Sequence, residues 1–320
     1  MYDKLKLVLR LTIGMGILLA LCWTLDVNAV AANLVALDMA WFVWLCLLAI
    51  LIKVLKAFKW WLLLRARDLP ISAWQTTRLY FVGNLVGALT PAGLGSDVYR
   101  AAALSDFQQS NDVISTLMIE RLIGFAVLAM AAVICIPFSA EFLDPVVLSV
   151  WWKFVLAGLL LICVFAGLLS SGLFDHWIKG VPSRFNIIDE VRKLLSAFYS
   201  FRAHKGLLGL FTVLTGIEIL ILVLISYTAA WALRIDVPFL YFLAVVPLIQ
   251  FLIRLPISIQ VLGIQEGLYV YMFLAAGFPK SDGLSVSFLL RIVEILLIFL
   301  PGLAMMISRS RFKSTQRESE

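Results

Sequence analysis

The chain has 320 residues, of which 62% are hydrophobic and 14% charged, with a formal net charge of +6 and a pI near 9.2. Soluble domains carry nearer to about 45–50% apolar and about 25% charged residues, so a soluble enzyme, a nucleic-acid-binding domain and a disulfide-stapled secreted module are excluded. At about 20 residues per crossing the apolar content supplies at most about ten spans, and the expected class is an all-α polytopic membrane protein.

The first apolar run, 7–25, follows Lys4 and Lys6 and is long enough to span. Asn28–Ala32 resembles a signal-cleavage site, but the rest of the chain is also membrane, so a retained first helix is expected. Linker 26–38 has no Lys or Arg, and a second span covers 39–57. Lys53, Lys56, Lys59, Arg65 and Arg67 then cluster as an inner loop. Segment 73–108 is apolar but interrupted by Thr90-Pro-Ala-Gly-Leu-Gly-Ser-Asp97. Spans at 112–137 and 148–170 enclose a linker without Lys or Arg. The polar stretch 171–205 carries Lys179, Arg184, Arg192, Lys193, Arg202 and Lys205, with an amphipathic surface helix expected over 188–201. A span at 206–234 precedes a second interrupted segment, 237–277, broken from Pro256 to Gly263-Ile-Gln-Glu266. The last span, 284–308, runs into the basic tail 309–320.

Lys and Arg resist translocation, so this alternation places both termini in the cytoplasm, and the protein is expected to be a multi-pass protein of the plasma (inner) membrane. Tryptophans at the expected segment ends, Trp60 among them, agree with that layout, since indoles favour the interface. Parity then makes both interrupted segments hairpins that open on opposite faces. Their second arms, about 18 and 21 Å long at 1.5 Å per residue, fall short of a hydrocarbon core of about 30 Å. The expected architecture is therefore one membrane domain, 1–320, with six full helices and two re-entrant hairpins. Its halves, about 39–137 and 206–308, form an inverted repeat.

Ionisable groups within apolar segments cost at least roughly 2.5–3.5 kcal/mol each on insertion, so Asp97, Arg100, Glu120, Arg121, Glu218, Arg254, Glu266, Arg291 and Glu294 must face an interior. Asp97 with Arg100, and Arg291 with Glu294, are three apart and can pair on one helical face. Arg254 has no acid nearby and needs a distant carboxylate, Glu266 or Glu120, or a ligand anion. Glu218 reads equally well as a lone protonated core acid. Gly93 and Gly95 permit tight backbone ahead of a helix N-terminus that favours anions. The four cysteines and the two histidines lack metal-ligand spacing, and no cofactor is expected.

At these residues the chain resembles the membrane region of lysylphosphatidylglycerol synthases and their stand-alone flippase-like relatives. The resemblance rests on Asn84 with Pro91-Ala-Gly-Leu-Gly-Ser-Asp-Val-Tyr-Arg100, on Ile119-Glu-Arg-Leu122, and on Pro256-Ile-Ser with Gly263-Ile-Gln-Glu-Gly267. Ala92 and Ser96 depart from the family's string, and Gln265 stands where an arginine is common. What the resemblance implies is transfer of an anionic or glycosylated lipid between leaflets. No lysyl transfer is expected, because only about ten residues follow the last span, so the chain is expected not to be an enzyme. The candidate substrate-binding residues are Asn84, Pro91, Gly93, Gly95, Asp97, Arg100, Glu120, Arg121, Arg254, Pro256, Gly263, Glu266, Arg291 and Glu294. The expected partner is a membrane lipid, an anionic phospholipid or an isoprenoid-linked lipid. No nucleic acid is expected, and a homo-oligomer is compatible with the sequence. Two alternatives remain: a membrane-embedded enzyme acting on a polyprenyl phosphate or phospholipid headgroup, and a secondary transporter of a small anion.

Overall fold

The computed structural model describes residues 27–88, 94–104, 110–139, 201–254 and 263–317, with scattered positions between 141 and 160. Among these residues all regular structure is helical. The helices are α1 (Val27–Val35), α2 (Met39–Arg65), α3 (Ala73–Ala88), α4 (Leu94–Ala103), α5 (Ser110–Ser139), α6 (Lys205–Ala232), α7 (Phe239–Arg254), α8 (Ile264–Ala275) and α9 (Lys280–Arg317), with a 3₁₀ turn at Phe201–His204. Four of them, α2, α5, α6 and α9, are long and apolar enough to cross a membrane. The chain is a multi-pass membrane protein. The expected span 7–25 and the surface helix 188–201 lie outside the described residues apart from Phe201, as does most of 148–170.

Helix α2 corrects its expected boundary. The span anticipated at 39–57 runs on to Arg65, because Trp60, Leu63 and Leu64 continue the buried face and are fully inaccessible. Lys53 and Lys56, inside the expected span, and Lys59, beyond its expected end, all lie within this helix and not in a loop. The Asp38 carboxylate caps the start of α2 by accepting from the Ala40 N–H at 3.0 Å. Its far end closes through Asp68 in the left-handed region (φ 53°), with the Leu69 N–H donating to the Leu64 carbonyl at 3.3 Å. Helix α6 ends in the same way: Arg234 has φ 57° and the Ile235 N–H reaches the Ala230 carbonyl at 2.9 Å. Both closures satisfy carbonyls that a helix end would leave open.

The interrupted segments become two helix pairs, α3/α4 and α7/α8. With 16, 10, 16 and 12 residues, they extend about 24, 15, 24 and 18 Å at 1.5 Å per residue. None of the four spans a core of about 30 Å alone. The breaks themselves, 89–93 and 255–262, lie outside the described residues.

Packing follows a consistent exchange. Helices α2 and α6 run antiparallel along each other. At one end Trp41 meets Trp231 at 5.3 Å and the Asp38 N–H donates to the Ala232 carbonyl at 2.7 Å. At the other, Leu63 packs with Phe211. Helix α5 packs against α7, where Phe125 and Phe251 lie 5.1 Å apart, and α9 packs against α3, where Arg78 Nε donates to the Met305 carbonyl at 3.1 Å. Exchanging α2–α5 for α6–α9 turns the α5–α7 contact into the α9–α3 contact and returns α2–α6 to itself. The same exchange relates α2–α3 to α6–α7 and α3–α4 to α7–α8. The outer flank of α2, with Leu47, Ile50, Leu51, Val54 and Phe58, is exposed and apolar, as a lipid-facing surface requires.

Candidate functional site

The first charged cluster joins α3, α4 and α5. Helix α4 begins just after the first break and carries Asp97 and Arg100 one turn apart. The Arg100 Nη2 donates to Asp97 Oδ1 at 2.6 Å, and its Nη1 donates to Glu120 Oε2 on α5 at 3.2 Å. Arg121 pairs with the other oxygen of Asp97 and is more than half exposed. Arg100 itself is 6% exposed and lies between two rings, 5.0 Å from Trp60 and 5.2 Å from Tyr80. Trp60, expected at an interface, is in fact core: it is fully buried and its indole N–H donates to Thr116 Oγ1 at 3.1 Å. Burial of a guanidinium is tolerable only with acids and ring faces around it.

This cluster retains unused hydrogen-bonding capacity. Among the described residues, Arg100 Nε, Asn84 Nδ2 and Ser96 Oγ are buried and have no partner. Gly83 explains how α3 approaches α4 so closely. A Cβ there would stand 3.2 Å from Arg100 Cγ, 3.3 Å from the Ser96 carbonyl oxygen and 3.4 Å from Ser96 Oγ. Leaving a buried polar group unpaired costs about 1–3 kcal/mol; Arg100 and Ser96 are on α4 and Asn84 is on α3.

The second cluster joins α8 and α9. Gly263, with φ 109°, leads into α8, and its N–H donates to Glu266 Oε2 at 2.7 Å. The other oxygen of Glu266 accepts from Arg291 Nε at 3.0 Å, and Arg291 Nη1 donates to Glu294 Oε2 at 3.3 Å. Glu266 is fully buried. The Arg100–Glu120 pair has its cation on the short helix and its acid on the long one, whereas Arg121–Asp97 and Arg291–Glu266 both have the acid on the short helix and the cation on the long one.

Sequence reasoning missed a third group. Glu218 on α6 is not a lone core acid: its Oε1 lies 3.1 Å from Lys56 Nζ and its Oε2 2.6 Å from Lys59 Nζ. Lys59 is 2% exposed, also donates to Thr215 Oγ1 at 2.8 Å, and sits 4.7 Å from the Phe211 ring centroid. The signal was present in the apolar residues after Lys59, which continue the helix. The partners expected for Arg254 are otherwise engaged, Glu266 by Arg291 and Glu120 by Arg100. Arg254 closes α7 and its side chain lies outside the described residues, as do Pro91, Gly93 and Pro256. Gly95 is in the first turn of α4. The geometry thus joins Asp97, Arg100, Glu120 and Arg121 in one cluster and Gly263, Glu266, Arg291 and Glu294 in another, with Asn84 on α3 and Gly95 on α4. Among the described residues no group of His, Cys, Asp and Glu has the arrangement of a metal site.

A family model described as the lysylphosphatidylglycerol synthase TM region matches residues 7–302. No curated protein and no solved structure matches the chain.

Proposed function

The chain belongs to the lysylphosphatidylglycerol synthase TM-region family, and from that premise we propose that it is a flippase-like transporter that moves an anionic or glycosylated lipid between membrane leaflets. The observation that carries this reading is the buried Arg100, whose Nε among the described residues has no partner and whose side chain meets Ser96 at Gly83, with the likewise unpartnered Asn84 the next residue on α3. A phosphodiester offers oxygens to all three, and a guanidinium suits its forked geometry. Polar groups of this kind within a bilayer mark a substrate path.

The two helix pairs are re-entrant hairpins, and the packing exchange between α2–α5 and α6–α9 is that of an inverted repeat. The antiparallel α2 and α6 lie at its axis. Interrupted helices meeting near mid-depth about such an axis suit alternating access. The headgroup occupies the polar interior while acyl chains remain beside the apolar flank of α2. The positive-inside distribution of Lys and Arg puts both termini on the cytoplasmic side of the plasma membrane.

The test is reconstitution into liposomes containing fluorescent phosphatidylglycerol, with leaflet exchange followed by quenching from outside. Wild type accelerates exchange over protein-free vesicles, and Arg100→Ala reduces that acceleration at least tenfold. Equal rates for the two proteins remove the proposed site, and no acceleration by wild type removes the function. The same vesicles, extracted for mass spectrometry, contain the added lipid covalently unchanged; a new lipid species would instead make the chain an enzyme.

A further inference from the structure

In the first cluster one carboxylate is shared by two guanidiniums. Asp97 Oδ1 accepts from Arg100 Nη2 at 2.6 Å, and its Oδ2 pairs with Nη2 of Arg121. Glu120 accepts from the other terminal nitrogen of Arg100 at 3.2 Å. In the α8/α9 cluster the sharing runs the other way: Arg291 lies between Glu266 and Glu294, and among the described residues no carboxylate there bridges two arginines. A carboxylate with one oxygen on each of two arginines has the contacts of a bound phosphodiester, which also presents two free oxygens to forked donors.

The two arginines differ in access. Arg100 is buried, whereas Arg121 is more than half exposed, although it lies about 14 Å along the apolar span Asp112–Cys135 at 1.5 Å per residue. A guanidinium turned toward hydrocarbon at that depth is costly, so the open side of Arg121 suits water or a headgroup. Asp97 stands between this open arginine and the buried one. Helix α4 packs closely on α3 but only lightly on α5, so ion pairs and not an apolar interface join α4 to α5 at this level. Exchanging one partner there disrupts little else. Asp97 is in the first turn of α4, where helix N–H groups favour an anion, which gives a displaced carboxylate a direction in which to turn. Arg100 Nε, buried and without a partner among the described residues, is a donor that Asp97 leaves unused.

We propose that Asp97 competes with the substrate phosphate for Arg100 and Arg121. An incoming phosphodiester headgroup meets Arg121 first, displaces the carboxylate and takes both guanidiniums, Arg100 through Nε as well. The proposal rests on the transport reading and specifies how that site is loaded and emptied. One monoanion replaces another, so the two arginines stay matched by Glu120 and the ligand as they are by Glu120 and Asp97. Release is the reverse exchange, in which Asp97 retakes the arginines and expels the lipid.

Retention and transport together separate this role from one of merely orienting the arginines. Native mass spectrometry of protein released from nanodiscs of phosphatidylglycerol and phosphatidylcholine reports the retained lipid for wild type, Asp97→Asn and Arg121→Gln. The expected result is that Asp97→Asn retains at least fivefold more phosphatidylglycerol than wild type, and Arg121→Gln at least fivefold less. A fall in Asp97→Asn, as an orienting acid would give, or an unchanged retention in either variant, overturns the proposal. Millimolar inorganic phosphate leaves retention unchanged; displacement of the lipid by it overturns the assignment to a lipid. In the liposome assay Asp97→Asn slows phosphatidylglycerol exchange at least tenfold despite its tighter hold. Undiminished exchange by that variant overturns the role in release but leaves the transport reading intact. Absence of exchange by wild type overturns the transport reading, while the direction of the retention change still decides whether Asp97 competes with a phosphodiester. Because Asp97→Asn removes a partner of Arg100, each variant is also melted in detergent micelles containing phosphatidylglycerol or phosphatidylcholine, and the difference between the two is compared, so that a general loss of stability cancels. A difference larger than that of wild type is expected for Asp97→Asn, and a smaller one overturns the proposal.

Discussion

Replacing Glu218 by leucine offers the sharpest test of how charge is held inside this protein. The substitution leaves Lys59, 2% exposed, with Thr215 and the Phe211 ring as its remaining partners, and removes the carboxylate from Lys56 as well. Breaking a buried ion pair by deleting one partner costs about 3–5 kcal/mol, a large part of a typical folding margin of about 5–15 kcal/mol. Lys59→Met alone is milder, because Glu218 keeps Lys56. The double variant Lys59→Met/Glu218→Leu removes the most buried charges together, and replacement of buried pairs by apolar groups is often neutral or stabilising by about 1–4 kcal/mol. A double-mutant cycle in mixed detergent–SDS unfolding should therefore give a coupling energy of about 2 kcal/mol or more, since contacting charges depart from additivity by about 0.5–3 kcal/mol. If both single variants cost less than about 0.5 kcal/mol and simply add, as independent sites do, the pairing described for α2 and α6 carries no stability and the argument fails.

Other substitutions test different contacts. Gly283→Ala on α9 would place a Cβ 2.9 Å from the Tyr269 carbonyl oxygen and 3.0 Å from Phe273 Cβ, so it should destabilise by about 1–3 kcal/mol through overpacking, read in the same unfolding assay. Gly216→Ala on α6 meets nothing within 4 Å and should be neutral or stabilise by up to about 1 kcal/mol from helix propensity. Ser226→Ala removes the partner 2.8 Å from the Tyr269 hydroxyl and should cost about 1–3 kcal/mol by leaving a buried group unpaired. Adding Tyr269→Phe should recover part of that loss. Gly83→Val should separate α3 from α4, displace Arg100, and depress lipid exchange in liposomes more than it depresses the melting temperature; the reverse ordering would refute the role given to that close approach.

The class and the long helices were legible because hydrophobic runs of spanning length leave few alternatives. The i,i+3 pairs, Asp97 with Arg100 and Arg291 with Glu294, were legible because helical period alone puts such residues on one face. Partners across helices were not. Nothing local indicates that Glu218 meets Lys56 and Lys59, whose separation from it in sequence exceeds a hundred residues, or that Glu266 is taken by Arg291 and not by Arg254. The lysines were misplaced for a specific reason: a positive-inside count treats any basic cluster after an apolar run as loop. Here Trp60, Leu63 and Leu64 carry the buried face past those charges. Trp60 was misplaced similarly, since its indole N–H finds Thr116 and its ring face finds Arg100, so it has no need of the interface.

The antiparallel embrace of α2 and α6 makes the two halves of the chain unequal companions. Two copies of the first half arranged as a symmetric dimer would set one α2 against another, crowding lysine upon lysine in a medium that tolerates neither. Two copies of the second half would confront Glu218 with itself. Each half is therefore fitted to the other and disqualified from its own company, so fragments severed between α5 and α6 should reassemble only as a mixed pair.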